Sequence, residues 1–514
     1  MKYLPFLFAT LVFLSSCQQE GFPPLEEPTD HLRDEGLAPF YHGVASGDPM
    51  QDRVVIWTRV TPETKLPEVE VRWEVASDPE FQFLVESDVF LTGPERDYTV
   101  KVDVPALQPG TQYYYRFKAL RKISSVGKTR TLPEATDNVK LAAVSCSNYE
   151  WGYFNAYDAL AKEEDIDAVL HLGDYIYEYG PGSYGDTTLG RANIPAKEII
   201  TLDDYRTRYS QYRLDEDLRQ VHQNHPFINI WDDHEITNNS YKEGAQNHQP
   251  DEGDYEDRKK VAVQAYYEWL PIRENMEHYR SFSYGDIVDL FMLDERLAGR
   301  TRQPDSLGDP ALNDPEHTIL GKEQMNWFLE QLKMSDAKWK VIGNQVIFSY
   351  LNWGRAGFSI NLDAWDGYPQ DQQQVIDFVK NNDIKNVIFV TGDTHSAWAF
   401  EVTNDPFDSY DPVTADGSVA IEFGTTSINS ANSNERFPTD SVIAHENRIV
   451  NSRINPHLKY ANLRDHGYLI LEISSEEAKA TWKVVNTLKD KNYRLKVDRQ
   501  FGVKAGEARL MQIP

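Results

Sequence analysis

Cysteine is almost missing from this chain. Its 514 residues carry two, Cys17 and Cys146. If Cys17 is lipidated, Cys146 has no disulfide partner within the chain, and its thiol needs another explanation. It is either a small buried hydrophobe or a metal ligand. Positive charge is also short, with 52 basic against 81 acidic residues and a net charge of −29. A surface this negative repels polyphosphate backbones and excludes sequence-independent binding of a nucleic acid duplex. A small anionic substrate therefore needs a local positive centre, and a bound metal supplies one. Beyond the N-terminus no segment is long and apolar enough to cross a membrane. Internal repeats are absent too. A large core is affordable, because 40% of the residues are hydrophobic and 12% aromatic.

The N-terminus has the pattern of an export signal. Lys2 gives a short positive start, Leu4 to Leu14 is apolar, and Leu14-Ser15-Ser16-Cys17 follows. The apolar stretch is too short for a mature spanning helix. Small residues before a cysteine are similar to a bacterial lipobox, which predicts a signal over 1–17 and a lipid on Cys17. Residues 18–37, with Pro23, Pro24 and Pro28, read as a polar tether. The expected address is the cell envelope, with the membrane reached only through that lipid.

Residues 38–134 read as all-β. Arg53–Val60, Val69–Val75, Tyr98–Val104 and Gln112–Phe117 are strand candidates, the second with clean period-two alternation. Their spacing predicts an immunoglobulin-like β-sandwich. From 138 to 490 apolar runs alternate with helical patterns, which predicts a layered α/β domain. The runs are Val139–Val144, Ala168–Leu172, Phe227–Trp231, Ile287–Leu293, Trp339–Ile347 and Asn386–Val390. Segments 235–258 and 296–317 are rich in Asn, Asp, Gly and Pro and read as surface loops. Two late strands, Tyr468–Ile473 and Ala480–Val485, are expected in a second sheet. Residues 491–514 read as a C-terminal extension.

Several apolar runs end in residues that hold metals or move protons. Ser145-Cys146-Ser147-Asn148 follows the first, Gly173-Asp174-Tyr175-Ile176-Tyr177 the second and Asp232-Asp233-His234-Glu235 the third. Thr391-Gly392-Asp393-Thr394-His395 follows another, and Asn344-Gln345 lies within the run ending at Ile347. If these strands share one sheet and one direction, their ends converge where α/β folds bind ligands. Asp204-Tyr205-Arg206-Thr207-Arg208-Tyr209 is a candidate phosphate clamp. At most one of Arg206 and Arg208 can face the site from a helix. His171, inside its strand, reads as a packed histidine.

Gly-Asp-x-x-Tyr at Asp174 and Tyr177, Asp-His-Glu at 233–235 and Gly-Asp-x-His at 392–395 together resemble the calcineurin-like metallophosphoesterases. The wider text is similar to the PhoD-like alkaline phosphatases and phosphodiesterases. It includes His42-Gly43-Val44-Ala45-Ser46-Gly47-Asp48-Pro49, Val54-Val55-Ile56-Trp57-Thr58-Arg59 and Ser145-Cys146. The resemblance spans roughly residues 40 to 485 and implies an αββα metallophosphoesterase domain. It implies Fe³⁺ held by Cys146, Asp174, Tyr177 and His395. It also implies Ca²⁺ beside the iron, with Asp174 bridging and Asp393 and Asp233 as further ligands. Asn238, Asn344 and Gln345 are weaker ligand candidates. Family members often carry a twin-arginine signal, whereas this chain begins Met1-Lys2-Tyr3. Export unfolded, with metal acquired outside the cytoplasm, is then implied, which keeps zinc or manganese open as alternatives.

The chemistry is coherent without the name. Ferric iron favours carboxylate and phenolate oxygens, and a cation keeps a thiol ionised. Calcium takes several oxygens in a flexible shell. A metal pair generates hydroxide near neutral pH for in-line attack on phosphorus. His234, beside Asp233, is the candidate general acid for the leaving oxygen. The expected activity is hydrolysis of phosphate monoesters, diesters or both, on a small molecule or a polymer end, by a monomer. The competing reading is a non-catalytic surface lipoprotein that captures cations or glycans.

Overall fold

A computed structural model describes residues 22–274 and 277–514. The signal segment, Cys17 and the first residues of the tether lie outside the described residues. Among the described residues no helix is long and apolar enough to cross a membrane.

Two large sheets pack face to face. The first has ten strands, in the order Met511–Ile513, Leu495–Lys504, Glu477–Val485, His466–Ser474, Asn138–Val144, Ala168–His171, Phe227–Asn229, Val44–Gly47, Val54–Arg59 and Thr99–Val104. The second has seven, in the order Arg280–Tyr284, Val288–Met292, Trp339–Asn344, Val387–Thr391, Ser418–Gly424, Ala397–Thr403 and Leu458–Asn462. One apolar layer lies between them, where Leu141, Leu170 and Ile228 meet Leu290, Val341 and Ile388. A second layer buries the first sheet against helices such as Asn155–Ala161 and Tyr255–Trp269. A third buries the second sheet against Gly321–Met334 and Pro369–Asn381. Strands covered on both faces read as continuous apolar runs. Ala168-Val169-Leu170-His171 is such a strand, and all four residues are buried.

The strands that carry the candidate residues do not share one sheet. Asn138–Val144, Ala168–His171 and Phe227–Asn229 run parallel in the first sheet. Val288–Met292, Trp339–Asn344 and Val387–Thr391 run parallel in the second. Both sets bring their C-terminal ends to the same place. The late strands also move: His466–Ser474 pairs antiparallel with Asn138–Val144, in the first sheet. Residues 491–514 supply two further strands there and are no appendage.

The N-terminal region is not a free-standing sandwich. Val69–Ala76 pairs with Leu84–Thr92 and with Gln112–Ala119 in a separate five-stranded sheet. Val69, Val71 and Val75 of this sheet pack on Val44, Val54, Ile56 and Val100. Those partners belong to strands that continue the ten-stranded sheet. One layer is therefore shared with the region after residue 138. The tether is anchored as well. Glu27 pairs with the buried guanidinium of Arg59, and Thr29 bonds Ser210 at 2.9 Å.

Candidate metal centre

The parallel strand ends converge as expected. Donor atoms of Cys146, Asp174 and His395 lie within 4.8 Å of one another, as do those of Asp174, Asp233 and His234. Asp174 belongs to both groups, which suits a carboxylate that bridges two cations. The Tyr177 hydroxyl is 2.9 Å from an Asp174 oxygen and 3.1 Å from His395 Nε2. Ser430 Oγ donates to that hydroxyl at 2.8 Å.

The backbone turns sharply to present these donors. Cys146, Asp174, Asp393 and His395 all adopt the left-handed conformation, with φ of 58°, 58°, 60° and 57°. Such residues are uncommon outside glycine and concentrate where surrounding structure over-determines them. Gly173 allows the closest approach: a Cβ there would sit 2.5 Å from the Asp232 backbone nitrogen. The two loops are then locked together. Cys146 N–H donates to the Gly173 carbonyl and Ser147 N–H to that of Asp174. The Glu235 carboxylate accepts from the backbone N–H groups of Asp174, Tyr175 and Asp232.

Both histidines are oriented through Nδ1. That of His395 lies 2.7 Å from the Ala431 carbonyl, which requires Nδ1–H and leaves Nε2 free to ligate. That of His234 lies 2.6 Å from Glu178, and its ring packs on Tyr177 with centroids 4.2 Å apart. Glu178 is itself fixed by Asn238 N–H and the Asn247 amide.

Without a cation the cluster is electrostatically costly. Burial pushes Asp174 well above the usual carboxylate range, and Asp233 and Asp232 push it further. Burial raises Asp393 to about 7, although Arg296 opposes the rise. Burial also raises the Cys146 thiol well above its ordinary value, with Asp174 adding to it. Partial burial lowers His395 to about 4 and keeps it neutral. His234 differs: burial lowers it, but Asp233, Glu178 and Asp174 together hold it well above its ordinary value. Asp174 Oδ1 and Asp232 Oδ2 are buried without a hydrogen-bond partner. Orphaned acceptors beside a thiol, a phenol and a neutral imidazole are the donor set of a cation site.

The phosphate-clamp expectation is corrected. Arg206 and Arg208 lie on the helix Leu202–Arg213 with their guanidiniums occupied inside the protein. Arg206 makes two 2.7 Å bonds to Glu268. Arg208 donates to the carbonyls of Ile194, Tyr177 and Tyr179, so it braces the Tyr177 loop instead of meeting substrate. Gln345 is likewise engaged, with Glu295 N–H and the Leu293 carbonyl. The Asn344 amide bonds Thr391 and Trp365. Asn238 uses its N–H on Glu178, and its side chain is not committed to the cluster. His171 is packed, 2.9 Å from the Tyr157 hydroxyl.

Arg296 is the principal residue missed by the sequence reading. It stands in a segment read as a surface loop, yet it is fully buried. Its guanidinium pairs with Asp232 and Asp363, and Nη2 lies 3.9 Å from Asp233 and 3.8 Å from Asp393 without a hydrogen bond. The available signal was its position, three residues past the apolar run ending at Leu293. Glu178 orients the His234 ring, and Glu235, quoted only as a motif neighbour, clamps the loops.

Known proteins resemble this chain over most of its length. Residues 141–482 match the PhoD-like phosphatase family, and residues 27–133 match the PhoD-like phosphatase N-terminal domain. Alkaline phosphatase D of Bacillus subtilis (strain 168) is 38% identical over 471 residues, covering 87% of this chain and 78% of that protein. A solved structure of PhoD superposes with a TM-score of 0.82 at 34% identity, covering 94% of this chain and 93% of that one. The competing reading of a non-catalytic lipoprotein is thereby set aside. The chain belongs to the PhoD-like phosphatase family and is a phosphatase.

Proposed function

We propose that this protein is an exported, metal-dependent phosphoesterase acting on phosphate monoesters, diesters or both. The observation that carries this reading is the convergence of Cys146, Asp174 and His395 within 4.8 Å. A buried thiol, a buried carboxylate and a neutral imidazole suit one cation of high charge, with Tyr177 as a fourth donor; Fe³⁺ is the assignment. Asp174, Asp233 and Asp393 suit a harder, oxygen-loving neighbour, assigned as Ca²⁺. Zinc or manganese in the same donors is the alternative. A bound cation pair would favour deprotonation of water near neutral pH and draw charge from two phosphate oxygens.

The chain's own residues do the rest. Glu178 fixes the His234 ring and keeps its proton on offer. The surrounding carboxylates favour the protonated ring, the form required of an acid that protonates the leaving oxygen. Arg296 balances the negative charge of Asp232 and Asp363. His234 also stands within reach of Asp174 and Asp233 as a ligand, which gives a second reading of its role.

The reading keeps a signal over 1–17 with Cys17 lipidated, a tether over 18–37, an N-terminal β-domain over 38–134 and a catalytic region after residue 138. The expected location is the cell envelope and the expected state a monomer. The test is hydrolysis of p-nitrophenyl phosphate and bis(p-nitrophenyl) phosphate by purified protein alongside elemental analysis. Turnover with iron and calcium is expected. Metal-free protein that hydrolyses at the full rate contradicts the reading.

A further inference from the structure

The metal centre opens into a cleft of about 350 Å³. Its walls include His395, Trp353, Arg355, Phe358, Arg436 and Phe437. In a chain with 81 acidic residues most buried or half-buried arginines find a carboxylate. Arg296 and Arg300 both bind Asp363. Half-buried Arg355 and exposed Arg436 do not: among the described residues neither forms an ion pair. Glu435, the acid beside Arg436 in sequence, is turned away and held by His466 and the Asn432 N–H.

Arg355 is nevertheless fixed in place. Its Nη2 donates to Ser433 Oγ at 2.9 Å. Its guanidinium carbon lies 5.7 Å from the Trp353 ring centre and 5.8 Å from that of Phe437. Cations seated over aromatic faces are held by the ring quadrupole. Burial lowers the Arg355 pKa, and the nearby positive charge of Arg436 lowers it further. Two like charges thus line one mouth, Arg355 anchored by Ser433 and Arg436 open to solvent. Such an arrangement is stabilised by an incoming anion, and the guanidinium fork matches phosphate.

We propose that Arg355 and Arg436 form a second anion subsite, which takes a phosphate group that the substrate carries beyond the one being cleaved. The preferred substrates are then phosphate esters with at least two phosphate groups, such as a phosphodiester whose alcohol bears a further phosphate. This assignment rests on the phosphoesterase reading of the neighbouring centre. Trp353, Phe358 and Phe437 offer the linking segment an apolar wall.

The test uses metal-loaded protein and two esters that release the same chromophore. One is thymidine 3′-(p-nitrophenyl phosphate); the other carries an additional 5′-phosphate. Wild type is expected to show a KM about tenfold lower for the phosphorylated ester, the worth of roughly one charge-assisted hydrogen bond. Arg355→Ala and Arg436→Ala should each narrow that gap, and the double variant should close it. A wild type that does not distinguish the esters, or a double variant that still does, overturns the proposal. Variants that lose inhibition by inorganic phosphate while keeping the distinction assign the cleft to free product and also overturn it. Should neither ester be cleaved, the diester part of the phosphoesterase reading falls instead. Calorimetry with propylene-1,3-bisphosphonate against propylphosphonate then decides the subsite without turnover. A bisphosphonate preference that disappears in the double variant supports it, and equal affinity in wild type overturns it.

Discussion

The two sheets make unequal contributions to the metal centre. The loops of the ten-stranded sheet supply Cys146, Asp174, Tyr177, Asp232 and Asp233, none more than 3% exposed. The seven-stranded sheet supplies Asp393 and His395, both half-buried and facing the cleft. On the first side, backbone hydrogen bonds and the Glu235 carboxylate lock loop to loop. On the second, His395 is held through its own Nδ1. In the proposed mechanism the closed side would fix the cations and the open side would meet substrate. Preorganised donors on rigid elements serve binding better than donors on mobile loops.

The comparison breaks first at Asp174, which both donor groups share. Asp174→Ala is expected to abolish turnover and metal content together while circular dichroism stays native. A variant that keeps its metals and its rate would remove the residue from the centre. His234→Ala is next. It should retain both metals and lose about 10²–10⁴ in rate, most on esters with poor leaving groups. Loss of metal along with rate would make His234 a ligand instead of an acid. Glu178→Gln sharpens the same point, with an expected loss of about 10–100-fold and partial retention of the leaving-group dependence. An unchanged rate would show that the ring needs no such anchor.

A smaller effect lies far from the centre, where the shared N-terminal strand meets a catalytic-region helix. Lys101 is buried, donates to the Tyr267 carbonyl and lies 3.2 Å from Glu274. Burial lowers its pKa to about 8, against the partial compensation of Glu274. Below pH 8 both folded and unfolded chains hold the proton, and the penalty is fully present. Between about 8 and 10.4 only the unfolded chain holds it, so stability rises with pH. The full rise is up to ~3 kcal/mol. Denaturant melts of wild type and Lys101→Met at pH 8 and pH 10 should show that rise in wild type alone. Parallel behaviour of the two proteins would sink the assignment.

Much of this architecture was legible in the sequence, for physical reasons. Strands buried on both faces are mostly apolar, so Val139–Val144 and Ala168–Leu172 announced themselves despite Lys140 and His171. Chemistry placed where such runs stop pointed to Asp174, Asp233 and His395 before any coordinates. Pairing was not legible, because an apolar run does not state its neighbour; the strand ends converge from two sheets, not one. Leu84–Thr92 escaped notice because it is a largely exposed strand with no clean alternation. Arg296 and the Arg206–Arg208 pair were misread in opposite directions. An arginine's role depends on which carboxylate the fold brings to it, and Glu268 and Asp363 lie more than sixty residues away in sequence from Arg206 and Arg296.

The most direct measurement is anomalous X-ray scattering from crystals of the metal-loaded protein, collected at and below the iron edge. One iron peak is expected in contact with Cys146 Sγ, Asp174, Tyr177 and His395, with a lighter cation beside it at Asp174, Asp233 and Asp393. Well-ordered crystals of active protein with no metal bonded to Cys146 and His395 would contradict the account.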